Sequence, residues 1–391
     1  MLSNNLMSYC LNFFVYVKII MMNLDTAIDT FLSPIADKIS GIIFSSVTIH
    51  GVKIEFLVAL LMFAAFYFTF RTRFIGVWGF KHALQLITKN YEHKDIRVKK
   101  KKGEVSSFQA LTATISASAG IGNVAGSAAA VSIGGPGVIF WMIMAGFFSM
   151  ALKFAEVLLG LKFRKVNPDG TIAGGPMYYI EGALKNNKYI GKFAPHLSKI
   201  YAICCVFAMI GGWNLFQINA MTTQITEVTG GENSFFANQS WLLGLIVAVI
   251  TYFTIIGGIK AIGKFTSKVT PVMCTLYVMT AFAVCLYNIG HVPHTVMMIL
   301  KEAFEPRAMA GGMFACMLWG FRRAMFANES GLGTAPIAFS AVKTNNAVAQ
   351  AFIAMLQPFV DTVIVGSATA FVIVVSGEYL HTSGIAGIEL T

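Results

Sequence analysis

The sequence predicts an all-α polytopic membrane protein, and three observations support that class. The chain has 391 residues, of which 56% are hydrophobic and only 12% are charged; a soluble domain carries about 25% charged residues. The apolar residues are gathered in windows long enough to cross a hydrocarbon layer of ~30 Å. The charged residues lie mainly between these windows, as they do in the loops of membrane proteins. The composition therefore argues against a soluble enzyme.

The apolar windows have the length of transmembrane helices. They cover residues 53–71, 107–131, 137–161, 199–227, 240–257, 270–289, 311–341 and 348–375. The sequence thus predicts eight spans, preceded by an N-terminal segment over residues 1–52.

Lysine and arginine are distributed unevenly among the connections. Ten of them lie in 71–102 and seven in 162–199, whereas 132–136 and 228–239 contain none. Because basic loops remain in the cytoplasm, this alternation predicts that the N-terminal segment is extracellular or periplasmic. The run Lys99–Lys102 is interpreted as a cytoplasmic topology signal, with an anionic-lipid patch as the alternative.

The net charge of +11 falls almost entirely in these loops. Membrane orientation explains such a distribution, whereas a nucleic-acid-binding protein concentrates its charge on one folded face. No nucleic-acid partner is expected, and the lipid bilayer is the expected environment.

The second window is interrupted by small and polar residues. Gly120, Gly122 and Gly126 surround Asn123 in the stretch GIGNVAG. Glycine disfavours a helix interior, and non-helical backbone at membrane depth survives only where it lines a cavity or is buried in protein. A broken helix is one interpretation. A GxxxG helix-packing face formed by Gly122 and Gly126 is the other.

The seventh window also has a polar, glycine-containing middle. The polar, charged and glycine residues in this middle are Arg322, Arg323, Asn328, Glu329, Gly331 and Gly333. Charges inside a span face a partner or a pathway, and Arg323 can neutralise Glu329. Two interrupted spans in corresponding positions are typical of inverted-repeat secondary transporters.

Other polar residues inside the windows have two interpretations each. Lys153 and Glu156 are spaced as a helical i,i+3 pair, which favours an internal ion pair with its side chains extending toward the membrane interface over transport chemistry. Asn214, Gln217 and Gln224 recur at a spacing that places them in one polar stripe, which either joins helices or lines a binding cavity. Asp361 is a functional candidate, or it pairs with a neighbouring span.

Five long ordered segments of the chain can be compared with known families: FQALTATISASAGIGNVAG, SIGGPGVIFWMIMAGFFSMALKFAEVLLGLKFR, TIAGGPMYYIEGAL, MFANESGLGTAPIAFSA and FVDTVIVGSATAFVIV. They resemble the alanine or glycine:cation symporters, which are sodium-coupled amino-acid carriers with the inverted-repeat leucine-transporter fold. The resemblance covers roughly residues 50–391. One departure is Ile121, where family members usually have threonine.

The resemblance implies a 5+5 inverted repeat preceded by one extra helix. The extra helix corresponds to residues 53–71, the first repeat of five helices to 105–290, and a partial second repeat of two helices to 311–391. On this comparison the chain reads as a member truncated after the second helix of repeat 2, and such a product is expected to insert but not to transport.

The resemblance and the two interrupted spans together imply import of a small neutral amino acid, alanine or glycine, driven by sodium and less favourably by protons. The expected substrate-binding residues are Gly120, Ile121, Gly122, Asn123, Gln217, Phe326 and Asn328. The expected sodium ligands are Ala117, Ser118 and Asn123. The expected location is the bacterial inner membrane, and no cofactor is expected apart from sodium as the coupling ion.

Within that scheme, exposed amides at the half-helix ends would meet the substrate carboxylate. Gln217 would accept from the ammonium group, and Phe326 would close the side-chain pocket. A channel is the competing class, but the sequence contains no carboxylate ring or filter loop. An intramembrane enzyme would need a Ser/His, paired-Asp or HExxH arrangement within the spans. None of the seven histidines lies in a span centre beside such a partner, so no enzymatic activity is expected.

Overall fold

The structure is a computed structural model that describes residues 30–49, 52–88, 104–169, 171–237, 239–305, 312–377 and 379. The basic run Lys99–Lys102 therefore lies outside the described residues. The described residues fall into two compact units, one made of 30–49 with 53–60 and the other of 52 with the residues from 61 onward.

The smaller unit combines a helix and a pair of strands. Helix α1 covers residues 30–43. Strands β1 (Ser46–Ile49) and β2 (Val52–Glu55) pair with each other. The Phe56 amide donates to the Ser45 carbonyl at 3.0 Å, so the strand pair leads directly into the next helix. The first predicted span therefore begins as a helix at Phe56, because residues 53–55 belong to β2.

The larger unit is built mainly from helices. Its first helices are α2 (Phe56–Arg71, which begins in the smaller unit), α3 (Ile75–Trp78), α4 (Phe80–Thr88), α5 (Ser107–Ser118), α6 (Ile121–Gly134) and α7 (Val138–Lys162). A short antiparallel pair, β3 (Lys165–Val166) and β4 (Ile172–Ala173), then leads to α8 (Pro176–Leu184), α9 (Ala194–Ala208), α10 (Phe216–Val228), α11 (Ser240–Ile255), α12 (Gly258–Tyr287) and α13 (Val292–Phe304). The last described helices are α14 (Gly312–Asn328), α15 (Thr334–Ser340), α16 (Ala347–Ala354), α17 (Leu356–Pro358) and α18 (Ser367–Ser376).

Local sequence explains where several of these helices begin. Ser106 and Gln109 form a reciprocal capping box at the start of α5, which satisfies two amide groups that the helix itself leaves without acceptors. Asn346 caps α16 through a bond from the Ala349 amide. Pro176 occupies the first turn of α8, where its missing N–H costs nothing.

Two segments have π-helical hydrogen bonding within otherwise continuous helices. Met209–Leu215 joins α9 to α10, and Phe359–Gly366 joins α17 to α18. Such wide turns often occur at functional sites. The second of them contains Asp361.

Every predicted span contains a described helix. Among the described residues, four continuous helical stretches are long and apolar enough to cross a membrane: Val138–Lys162, Gly191–Val228, Gly258–Tyr287 and Ala347–Ser376. Shorter apolar helices cover Phe56–Arg71 and Ser240–Ile255. Together with the composition, these helices define a multi-pass membrane protein. The sixth span differs from its prediction, because its helix begins at Gly258 and continues through three lysines that the hydropathy window excluded.

Helix α7 lies at the centre of the packing. It contacts α14, α15 and α16, and its Met142, Met150 and Val157 are completely buried. One apolar cluster joins α7 to α4, α5, α15 and α16, and another joins it to α6, α13 and α18. The interrupted second and seventh spans therefore pack against the same long helix.

The ends of α7 and α15 are joined by one arginine. Arg164 donates to the carbonyls of Ser340, Val342 and Thr344 at 3.0, 2.8 and 2.6 Å. Burial lowers the pKa of the Arg164 guanidinium. The segment before α5 is attached here as well, because Val105 pairs with Val342 as an isolated parallel bridge.

Candidate functional site

The second span is broken between α5 and α6, at Ala119 and Gly120. Gly120 has extended backbone angles, and a Cβ atom built on it would lie 2.7 Å from the side-chain amide of Gln217. The absence of a side chain therefore allows Gln217 to approach the break. The break is confirmed, and it lies at the start of the GIGNVAG stretch, because α6 already begins at Ile121.

Gln217 is the residue of the predicted polar stripe that reaches this break. It is half-buried on α10, whereas Asn214 is exposed within the preceding π-helical segment. A π-helical turn changes the angular phase of a helix, so these positions no longer share the face that an α-helical spacing predicts.

Asn123 is buried and makes polar contacts to two other spans. Its Oδ1 accepts from Arg323 Nη2 at 2.7 Å, and its backbone carbonyl accepts from the same nitrogen. Its Nδ2 donates to the Asp361 carbonyl at 3.1 Å. The side-chain oxygen that was predicted to bind sodium therefore accepts from a guanidinium in this structure.

Asp361 is completely buried and faces the end of α5. Its Oδ2 accepts from the Ser118 hydroxyl, whose oxygen also accepts from Gln357 Nε2 at 3.1 Å. Within the described part of the chain, neither Asp361 Oδ1 nor Gln357 Oε1 has a hydrogen-bond partner. Two buried oxygens beside Ser118 thus have unused acceptor capacity, which is rare in protein interiors.

The seventh span is broken between α14 and α15. Glu329, Gly331 and Gly333 all have positive φ angles in this segment, at 55°, 87° and 85°. Positive φ costs little for glycine but is uncommon for glutamate. The second predicted break is therefore confirmed, and Glu329 is held in a conformation that its surroundings must stabilise.

Side chains satisfy much of the backbone at this second break. The Glu329 carbonyl accepts from Lys153 Nζ at 3.2 Å, and the Gly331 amide donates to Glu156 Oε2 at 2.9 Å. The Leu332 carbonyl accepts from the Tyr201 hydroxyl at 2.8 Å. These contacts come from α7 and α9, so the chain itself supplies the partners that a continuous helix would have supplied.

Lys153 and Glu156 form the predicted i,i+3 ion pair, with 2.8 Å between Nζ and Oε1. The Lys153 side chain is completely buried, so its ammonium does not extend toward the membrane surface. The pair binds the second break instead, through the contacts to Glu329 and Gly331 described above.

One glutamine connects the two breaks. Gln357 Nε2 contacts Ser118 Oγ at the first break and the Asn328 carbonyl at the second, at 3.1 and 3.3 Å. The Asn328 side chain in turn donates to the Thr362 hydroxyl at 3.1 Å. Ser118, Asn328, Gln357 and Asp361 therefore form one buried polar centre, and we use this name for these four residues.

The other predicted site residues lie on α5, α6 and α14. Ile121 is half-buried at the start of α6, beside Gly122, and Phe326 is half-buried on α14. Ala117 is exposed on α5. The sequence interpretation did not assign Gln357 a role, because a single glutamine in an apolar window looks like any other helix-joining residue.

A multi-pass membrane protein in which two broken helices meet at a buried polar centre has the architecture of a transporter. Comparison with known proteins agrees: the chain belongs to the sodium:alanine symporter family, whose sequence profile matches residues 40–391. This is a family of transporters, which is not an enzyme class.

Curated relatives share between 30 and 37% identity with the chain. The sodium/alanine symporter AgcS of Methanococcus maripaludis is 35% identical over 339 residues, which are 86% of this chain and 71% of that protein. An uncharacterized transporter of Haemophilus influenzae is 37% identical over 341 residues, 86% of this chain and 70% of that protein. A probable sodium/glutamine symporter of Bacillus subtilis, GlnT, is 32% identical over 338 residues, 86% of this chain and 66% of that protein.

Proposed function

We propose that this chain forms the substrate and ion site of a sodium-coupled symporter that imports a small neutral amino acid, alanine or glycine, by alternating access. The observation that carries the proposal is the buried polar centre, where Gln357 connects the two helix breaks and Asp361 contacts Ser118. In secondary transporters of inverted-repeat architecture, substrate and ion bind at such discontinuous helices near the bilayer midplane.

The cation is proposed to bind at the first break, to Ser118, the Ala117 carbonyl and Asn123, with Asp361 as a further ligand. Hydroxyl, carbonyl and carboxylate oxygens are the ligand type that hard cations prefer. Asp361 Oδ1 and Gln357 Oε1 are buried oxygens whose acceptor capacity the described residues do not use. Both oxygens therefore suit a desolvated sodium ion.

The charges buried near the two breaks support a monovalent cation. Asp361, Glu156 and Glu329 are buried carboxylates, and Lys153 and Arg323 are the basic residues that contact the breaks. If all five are ionised, their formal charges leave one negative charge in excess. An uncompensated buried charge costs several kcal/mol or more, and one sodium ion would balance it. Protonation of a carboxylate is the less favoured alternative, which would make the proton the coupling ion.

The substrate carboxylate is proposed to bind at the start of α6. The first amides of a helix have no acceptor within the helix, and this end of the helix carries partial positive charge, so Ile121 and Gly122 are suited to an anion. The second break is less suited, because its Gly331 amide already donates to Glu156. The carboxylate would then lie between the amides and the cation, so that each ligand stabilises the other.

Three side chains are proposed to make the other contacts with the substrate. Gln217 lies against Gly120, where its amide oxygen would accept from the substrate ammonium. Phe326 would limit the size of the substrate side chain. Asn328, the last residue of α14, would connect the substrate to the second break.

The fold is proposed to be the leucine-transporter-like inverted repeat. The observation in its favour is a repeated order of elements: a broken span, α5 with α6, is followed by the long helix α7, and the broken span α14 with α15 is followed by α16 to α18. The N-terminus would face the outside of a bacterial inner membrane, as the distribution of basic residues predicts.

The direct test is equilibrium binding of radiolabelled alanine to the purified chain, in sodium and in choline buffers of equal ionic strength. We expect sodium to lower the half-saturating alanine concentration about tenfold or more, within the usual range of coupling energies. Unlabelled glycine should compete and glutamine should not. Identical binding in both buffers, or an alanine-independent conductance in planar bilayers, would contradict the proposal.

A further inference from the structure

Arg323 contacts the residue that is proposed to bind sodium. It lies on α14, five residues before the end of that helix at Asn328. Its Nη2 donates both to the Asn123 carbonyl and to Asn123 Oδ1. One guanidinium nitrogen thus occupies the two oxygens of the residue at the start of α6.

Gly126 provides the space for this contact. A Cβ atom built on Gly126 would lie 2.5 Å from Arg323 Cζ and 2.6 Å from Nη1, so the guanidinium packs against the glycine backbone. Gly126 is within α6 and has no positive φ angle, so its backbone conformation does not require glycine. The close approach of Arg323 is therefore the reason that a side chain is excluded at this position.

We propose that Arg323 is a tethered cation that competes with sodium for the oxygens of Asn123. The inference rests on the proposed function, because it assumes that Asn123 is a sodium ligand. Two cations on the same oxygen repel each other, and the repulsion is strong where water is excluded. Arginine keeps its charge under nearly all conditions, so the guanidinium must move away from Asn123 before sodium binds there.

This competition would couple ion binding to helix movement. With Arg323 on Asn123, the first half of one broken span, α14, is joined to the second half of the other, α6. Sodium on Asn123 would break that contact. A ligand shifts a conformational equilibrium only by its differential affinity for the two states, and the exchange of sodium for Arg323 supplies such a difference.

Arg322 provides a matched control for Arg323. It is the preceding residue on α14, and its guanidinium lies over the Trp319 ring, with 4.9 Å between Cζ and the ring centroid. Replacement of Arg322 removes an equal charge from the same helix without removing the contact to Asn123.

The experiment measures binding of radioactive sodium to the purified chain and to the variants Arg323→Gln, Gly126→Ala and Arg322→Gln. Arg323→Gln removes the competing charge, and Gly126→Ala displaces the guanidinium while keeping its charge and favouring the helix. We expect both to lower the half-saturating sodium concentration by a factor of about 5 to 150, the usual range for coupled sites, and Arg322→Gln to leave it unchanged. Adding Asn123→Ala to either of these two variants should abolish its gain in sodium affinity.

Unchanged or weaker sodium binding by folded Arg323→Gln and Gly126→Ala would overturn the inference. An equal gain in sodium affinity in Arg322→Gln would also overturn it, as would a gain in sodium affinity that persists when Asn123→Ala is added. If one of the two variants fails to fold, the other decides. Failure of the proposed function is recognised separately, because wild-type chain would then bind alanine without any dependence on sodium.

Discussion

The Ser118 hydroxyl donates to the carboxylate of Asp361, which is 243 positions later in the chain. The contact joins the end of α5 to the π-helical segment before α18 and places a buried carboxylate at the first helix break. If that carboxylate binds the coupling ion, Asp361→Asn should raise the half-saturating sodium concentration at least about tenfold, because one charge-assisted contact is lost. Sodium-dependent stabilisation against heat is the measurement.

Asp169→Asn is the control for that substitution. Asp169 is exposed in the loop after α7, and bonds from Thr171 lower the pKa of its carboxyl group. Its replacement should leave sodium dependence unchanged. Equal sodium dependence in wild type and Asp361→Asn would remove Asp361 from the ion site.

Gln217→Leu distinguishes the two interpretations of this residue. If Gln217 accepts from the substrate ammonium, the variant should lose alanine binding, because an unpaired polar group in a desolvated pocket costs about 1–3 kcal/mol or more. If it joins helices, alanine binding should persist and the melting temperature should fall. Alanine-protected thermal unfolding measures both quantities in one experiment.

Phe326→Ala should enlarge the proposed side-chain pocket. We expect leucine to become a competitor of alanine binding, while alanine affinity falls a few-fold because apolar contact area is lost. Phe321→Ala is a suitable comparison, because Phe321 is completely buried on the same helix and its loss should lower stability without admitting leucine. Leucine competition that does not change in Phe326→Ala would remove this residue from the pocket.

Glu156→Gln should destabilise the protein by ~3–5 kcal/mol, because it leaves the buried Lys153 ammonium without its counter-charge. The double substitution with Lys153→Met should recover part of this loss. Thermal unfolding of the single and double variants measures both effects.

The partly exposed pair Lys260–Glu104, whose glutamate side chain is 20% exposed, is the reference for this comparison. Its Nζ and Oε2 atoms are 3.8 Å apart, and the lysine side chain is 67% exposed, so Glu104→Gln should cost only ~0–1 kcal/mol. Similar losses of stability in Glu156→Gln and Glu104→Gln would show that the buried pair does not support the second break.

Sequence patterns predicted the spans and both breaks because these depend on local composition. Gly120 and Asn123 interrupt one apolar window, and Asn328 to Gly333 interrupt another, so each break has its own signal. The ends of helices were predicted less well. The helix of the sixth span extends to Gly258, because exposed lysines can continue a helix that a hydropathy window ends.

The partners within the site could not be predicted from local patterns. The contact of Asn123 with Arg323 joins residues 200 positions apart, and the contact of Gln357 with Ser118 joins residues 239 positions apart. Their nearness in one span suggests that Arg323 pairs with Glu329, and this pairing stays a prediction. The contacts that local patterns do not predict are those of the Arg323 guanidinium with Asn123 and of the Lys153 ammonium with the Glu329 carbonyl.

The central claim is that sodium and a small neutral amino acid bind one shared site. Thermodynamic linkage requires that sodium change the alanine dissociation constant by the same factor as alanine changes the sodium dissociation constant. Titration of the purified chain with each ligand, at zero and at saturating concentration of the other, measures both factors. We predict equal factors of about ten or more, reduced to near one in Asp361→Asn. A factor of one in the wild-type chain, with saturable alanine binding, would contradict the claim.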